Sequence, residues 1–155
     1  MIIEPKLHAS VLRASDVMTY PVVAATPRTT VRDLASQMIL GGFSGMPVAE
    51  RNGSILGVVT EFDVLRAIRE EVPLETTTAD QIMTREVITV DVDDPVGQVM
   101  EILQTAHVLR IPVTRRGRLA GIISRPDLLR SLVEPNFIDF AQALPEDPPD
   151  GEAVR

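Results

Sequence analysis

GVVTEFDVL, Gly57 to Leu65, returns later in the chain as GIISRPDLL, Gly121 to Leu129. Both copies keep a glycine, two β-branched residues, a hydroxyl and an aspartate in the same order, and change what lies between them. The register extends upstream from this pair. DVMT, Asp16 to Thr19, falls on QIMT, Gln81 to Thr84; Val22-Val23 falls on Val87-Ile88, Val31 on Val96, Leu34 on Val99, and Met46-Pro47-Val48 on Ile111-Pro112-Val113. One residue is lost where the turn ERNGS becomes RRGR. A length change inside a glycine-containing turn is where two copies of one fold differ most easily. Two copies make an internal duplication and not a solenoid array.

Each copy predicts the same order of elements. PVVAA (21–25) and EVITV (86–90) read as short strands. TTVRDLASQMIL has Val31, Leu34, Ala35, Met38 and Ile39 at helical spacing, and DPVGQVMEILQTA has Val96, Val99, Met100 and Leu103. Pro95 near the second of these helices marks its start, where a missing N–H costs little. MPVAE-RNG-SILGVV and IPVT-RRG-RLAGII read as hairpins, followed by the helices EFDVLRAIREE and RPDLLRSLV. The unit is therefore β-α-β-β-α, and two such units form an α/β sandwich. The expected boundaries are an N-terminal segment 1–13, a first repeat 14–71, a linker 72–78, a second repeat 79–133, and an acidic, proline-rich tail 134–155 that is partly disordered.

Composition narrows the function. With 155 residues, each half has about 60 and is marginal alone, so the halves are expected to share one core. Apolar residues make up 45% and aromatics only 3%, so that core is aliphatic. A net charge of −7 opposes nucleic acid as a partner. No apolar run approaches the roughly 18 residues that cross a membrane, and the N-terminus MIIEPKLHAS does not read as a secretory signal, so a cytoplasmic location is the default expectation. The absence of cysteine removes disulfides, thiolate metal sites and cysteine nucleophiles. His8 and His107 are the two imidazoles, and His107 reads as a helix-end residue.

Thr60-x-x-Asp63 and Ser124-x-x-Asp127 admit two compatible readings. One is a helix start, with the hydroxyl at the N-cap and the acid at N3 complementing the helix dipole, a cap that contributes about 1 kcal/mol. The other is a nucleoside phosphate site. Free N–H groups at a helix start can hold a phosphate, and an aspartate one turn in can accept hydrogen bonds from a ribose diol. Gly57 and Gly121 then allow a ligand or a neighbouring backbone to come close.

The series DVMT…VV…helix…MPV…GVVTEFD, repeated as QIMT…VI…helix…IPV…GIISRPD, resembles a tandem pair of CBS (cystathionine β-synthase) domains, a Bateman module. The resemblance implies a pseudo-twofold α/β unit with two clefts, often assembled as a homodimer, that binds adenosine-containing ligands such as AMP, ADP, ATP or S-adenosylmethionine and requires no cofactor. By position, it implies that Thr60 and Asp63 serve one cleft with Val87 and Ile88 of the opposite repeat, and that Ser124 and Asp127 serve the other with Val22 and Val23. The strand starts Ser44 to Met46 and Leu109 to Ile111 then line the phosphate region. Arg110 aligns with Gly45, so one strand start carries a fixed cation and the two sites are expected to be unequal. Arg110 also reads as a solvated strand-edge residue.

Three functions compete on these residues. A stand-alone ligand sensor, without chemistry of its own, signals through packing or assembly to a regulated protein. A ligand-free dimerisation scaffold uses the same fold with empty clefts. A hydrolase ranks low, because neither motif contains a histidine and no cluster offers three metal ligands at convincing spacing, and DNA binding ranks lower still on charge.

Overall fold

The computed structural model describes residues 12–133. The expectations for most of segment 1–13 and for the tail 134–155 lie outside the described residues.

Among the described residues six helices and five strands follow one another: α1 (Ala14–Val17), α2 (Val31–Gly41), β1 (Gly45–Ala49), β2 (Ile55–Thr60), α3 (Glu61–Arg69), α4 (Ala79–Ile82), β3 (Val90–Asp91), α5 (Val96–Thr105), β4 (Arg110–Arg115), β5 (Arg118–Ser124) and α6 (Arg125–Val133). α2 starts because the Thr30 hydroxyl accepts from the Asp33 N–H at 3.2 Å, and it stops at Gly42, whose φ of 66° closes the helix with a left-handed residue. At the equivalent end of α5 that left-handed position belongs to His107, φ 53°, so its helix-end reading holds. Every residue of β1 is buried, as a strand covered on both faces requires.

β1 and β2 form one antiparallel hairpin, while β4 and β5 form another that carries β3 as a parallel neighbour. The expected strands 21–25 and 86–90 shrink to a single parallel bridge from Ala25 to Val48 and to the two-residue β3. The reason lies in where those segments begin. Thr19 pairs with Ile122 in the second repeat's sheet, and Thr84 pairs with Val58 in the first's. Each segment therefore leaves one sheet and reaches the other, and in between it has no strand to pair with.

The same crossing corrects the expectation of one shared core. Among the described residues the buried side chains form two clusters. One gathers Val31, Leu34, Met38, Met46, Val48, Val59 and Val64 of the first repeat together with Ala79, with Ile82 and Met83 packed against it. The other gathers Val96, Val99, Leu103, Ile111, Val113, Ile123 and Leu128 of the second repeat together with Ala14 and Val17. Each repeat lends its opening helix to the other. Backbone bonds fix the exchange: Ala14 N–H donates to Asp94 O at 2.8 Å, and Ala79 N–H to Thr29 O at 2.8 Å. Residues 72–78 return the chain to α2, where Val31 N–H donates to Thr77 O at 2.9 Å and Arg32 N–H to Leu74 O at 3.0 Å.

Candidate functional site

The exchange explains the repeated glycine. A Cβ on Gly57 would lie 2.7 Å from both the Met83 sulfur and the Thr84 carbonyl oxygen; a Cβ on Gly121 would press on the Met18 side chain. Thus the GVV/GII and MT signatures are the two sides of one contact, made twice. What comes close to the strand is neighbouring chain, which was one of the two readings of these glycines.

Three residues beyond each glycine, the hydroxyl and aspartate form a helix cap in both copies. Thr60 N–H donates to Asp63 Oδ2 at 2.8 Å and the Thr60 hydroxyl donates to the same oxygen at 3.1 Å, while Arg66 Nη2 donates to Asp63 Oδ1 at 2.7 Å. In the second copy Ser124 N–H and Ser124 Oγ donate to Asp127 Oδ2 at 2.9 and 2.7 Å, and Arg130 reaches Asp127 Oδ1 at 3.4 Å. Asp63 is 5% exposed, and Asp127 is more open. A carboxylate offers about four acceptor sites, so each aspartate retains capacity beyond these three bonds. The arginine three residues after each aspartate escaped the sequence reading, although DVLR and DLLR display it at a spacing that puts both groups on one helix face.

The segments expected to meet the base approach the motifs of the opposite repeat. Thr84 bridges Val58, two residues before Thr60, and the chain runs on into Val87 and Ile88; Thr19 bridges Ile122, two residues before Ser124, and runs on into Val22 and Val23. Val22 and Val87 are half-buried, while Val23 and Ile88 are exposed. Among the described residues, no backbone–backbone hydrogen bond involves residues 20–24 or 85–89. Two short stretches outside any strand therefore run beside the two motifs with no backbone–backbone hydrogen bond among the described residues.

The strand starts meet at the pseudo-twofold axis, where Arg110 is the outlier. Its Nη1 donates to Gly45 O at 2.9 Å and its Nη2 to Ser44 Oγ at 2.7 Å, so a side chain of the second repeat is anchored on the first. The solvated-edge reading of Arg110 is thereby corrected: the residue is half-buried, and its Nε is buried with no partner among the described residues. An unpaired buried donor costs about 1–3 kcal/mol. Burial pulls the guanidinium below its usual range, opposed by the negative charges of Asp127 and Glu61. Met46 and Ile111 direct their side chains into the two cores, so only their backbone can face a ligand.

The family model for the CBS domain matches residues 14–70 and again 79–134. The chain belongs to the CBS domain family. Its fold is that of a CBS pair: the CBS domain pair of protein MJ0100, solved in complex with 5′-methylthioadenosine and S-adenosyl-L-methionine, is 25% identical with a TM-score of 0.68, covering 77% of this chain and 94% of that one. A conserved protein of Pyrococcus horikoshii is also 25% identical, with a TM-score of 0.69, over 79% of this chain and 92% of that one. Among curated relatives, homoserine O-acetyltransferase of Methanococcoides burtonii is 31% identical over 124 residues, 79% of this chain and 24% of that protein. Inosine-5′-monophosphate dehydrogenase of Methanocaldococcus jannaschii is 29% identical over 133 residues, 84% of this CBS pair and 26% of the enzyme. The chain spans about a quarter of the length of the curated relatives it matches. Their differing names attach to proteins about four times the matched length.

Two further hollows lie against the helices that the motifs open, and each is lined in part by motif residues, Arg125 and Leu128 in one and Glu61 and Val64 in the other. A groove of about 520 Å³ on the outer face of α5 and α6 is lined by Met100, Leu103, His107, Leu109, Leu128 and Leu132. Its counterpart of about 320 Å³ on α2 and α3 is lined by Ala35, Met38, Phe43, Val64, Leu65 and Ile68. Among the described residues no group of three acidic or histidine side chains is placed to hold a metal ion.

Proposed function

We propose that this CBS pair is a regulatory module that binds adenosine-containing ligands in the two inter-repeat clefts and performs no chemistry itself. One observation carries the reading: each hydroxyl–aspartate motif lies beside a segment of the other repeat whose backbone makes no backbone–backbone hydrogen bond among the described residues. Unpaired amides and carbonyls on an extended segment can hydrogen-bond the edge of a purine, and a carboxylate at a helix start can accept from a ribose diol. A ligand there touches both repeats, and a shift in how they pack is a signal that a partner protein can read. The adenosyl ligands of the MJ0100 pair support the ligand class. AMP, ADP, ATP and S-adenosylmethionine are the candidates within it.

The assembly is a homodimer through the outer helix faces, where Ile39, Leu40, Phe62, Leu65 and Leu129 are between 61% and 84% exposed. Apolar side chains grouped on two neighbouring helix pairs are what a self-association surface presents. Sedimentation equilibrium of the wild type against Leu65→Glu/Leu129→Glu tests it, with a shift from dimer to monomer expected.

A thermal-shift panel of 5′-methylthioadenosine, S-adenosylmethionine, AMP, ADP and ATP with a guanosine control tests ligand binding. A ligand at 100 times its Kd stabilises by about 2.7 kcal/mol per site. A selective shift that shrinks in Asp63→Ala or Asp127→Ala supports the reading. If nothing shifts and the dimer persists, the pair is a ligand-free scaffold and its aspartates are helix caps.

A further inference from the structure

The hydroxyl, acid and arginine of the two motifs are duplicated, while residues beside them differ, Glu61 standing where the second copy has Arg125. Thr60 matches Ser124, Asp63 matches Asp127, and Arg66 matches Arg130, but Gly45 stands where the second repeat has Arg110. Strand register places the Arg110 cation between the motifs. Arg110 pairs with Ser124 across β4 and β5, while Gly45 pairs with Thr60 across β1 and β2. The guanidinium leaves the strand next to the second motif and ends on Ser44 and Gly45, next to the first. Arg66 and Arg130 are each bound to the aspartate of their own motif, so they serve the clefts alike.

We propose that Arg110 is a specificity residue shared by both clefts, so that ligands carrying phosphate compete for it and fill the clefts unequally, whereas adenosyl ligands without phosphate fill both alike. This rests on the adenosyl reading above. A phosphate oxygen is a stronger acceptor for a guanidinium than the neutral hydroxyl and carbonyl that hold it here, and it can take two N–H donors at once, including the Nε–H that has no partner among the described residues. The guanidinium can serve one phosphate in one geometry. Once it is committed, a second phosphate-bearing ligand finds the other cleft without a strand-start cation, and only the arginine already paired to that motif's aspartate offsets its carboxylate there. A ligand that ends in a thioether makes no demand on Arg110.

Isothermal titration of the full chain with 5′-methylthioadenosine and with ADP reads this directly. 5′-Methylthioadenosine is expected to occupy two sites per chain with affinities within about threefold, and ADP to show a second site at least tenfold weaker than the first. Arg110→Gln should weaken the tight ADP site about tenfold, a loss of roughly 1.4 kcal/mol, bring the two ADP sites together, and leave 5′-methylthioadenosine unchanged. Ser44→Ala, which removes one of the bonds holding Arg110 in place but keeps the charge, should tighten the first ADP site. Two equal ADP sites in the wild type, or an Arg110→Gln effect of equal size on both ligands, overturns the proposal while leaving the adenosyl reading intact. Absence of binding by either ligand overturns both.

Discussion

Replacing Gly57 with alanine should damage this protein far more than the same change at Gly121. The two glycines occupy equivalent places in their repeats, but what faces them differs. At Gly57 a methyl group meets the Met83 sulfur and the Thr84 carbonyl oxygen, both at 2.7 Å. That carbonyl belongs to the two-bond bridge in which Val58 N–H donates to Thr84 O at 2.9 Å and Thr84 N–H to Val58 O at 3.0 Å. Backbone held on both sides cannot move aside cheaply. Overpacking costs about 1–3 kcal/mol, and weakening the two bridge bonds adds about 0.5–1.5 kcal/mol each, so Gly57→Ala is expected to lose about 3 kcal/mol. At Gly121 the nearest atoms all belong to the Met18 side chain, an unbranched thioether that can change rotamer. Gly121→Ala should therefore lose about 1 kcal/mol. Urea denaturation followed by circular dichroism measures both, and for a chain of this size the melting temperatures should fall by roughly 10 and 3 °C respectively. If Gly57→Ala is no more destabilising than Gly121→Ala, the backbone approach is not what the repeated glycine serves.

Other consequences follow from particular residues. His107 occupies the left-handed position that Gly42 fills in the first repeat, so His107→Gly should raise stability by about 0.5–1 kcal/mol, read from the urea midpoint. Asp63→Asn removes a carboxylate that accepts three hydrogen bonds at 5% exposure and should cost about 2 kcal/mol, against about 1 kcal/mol for the more open Asp127→Asn; equal losses would contradict the difference in burial. Because each core is completed by a helix of the other repeat, a fragment ending at residue 74 should show no cooperative unfolding transition, and mixing it with 75–155 should restore one. A fragment that melts cooperatively alone would refute the exchange.

The duplication, the two hairpins, the paired long helices and the capping geometry were all legible in the chain, because each depends on residues near one another in sequence. Periodicity marks a helix such as Val31–Gly41 regardless of its neighbours, and a hydroxyl three residues before an acid can only reach its own helix start. What the local pattern could not register is partnership at a distance. PVVAA and EVITV have strand composition, but a strand needs an edge to pair with, and these segments span the gap between two sheets. Arg110 sits in a run that reads equally as a solvated edge, and only the meeting of the two strand starts shows it bonded to Ser44 and Gly45.

The repeated sequence thus determined the long helices, the hairpins and the caps of each half, and the membership of its apolar faces. Tertiary structure decided which half completes which core, that Met18 and Met83 lie on the opposite repeat's glycine, and that the Arg110 guanidinium stands between the two motifs. Two halves with the same apolar pattern offer similar faces, so the choice between packing an opening helix at home and packing it across the axis is a small difference between large burial energies. Such a difference is settled by the assembled molecule and has no local signature.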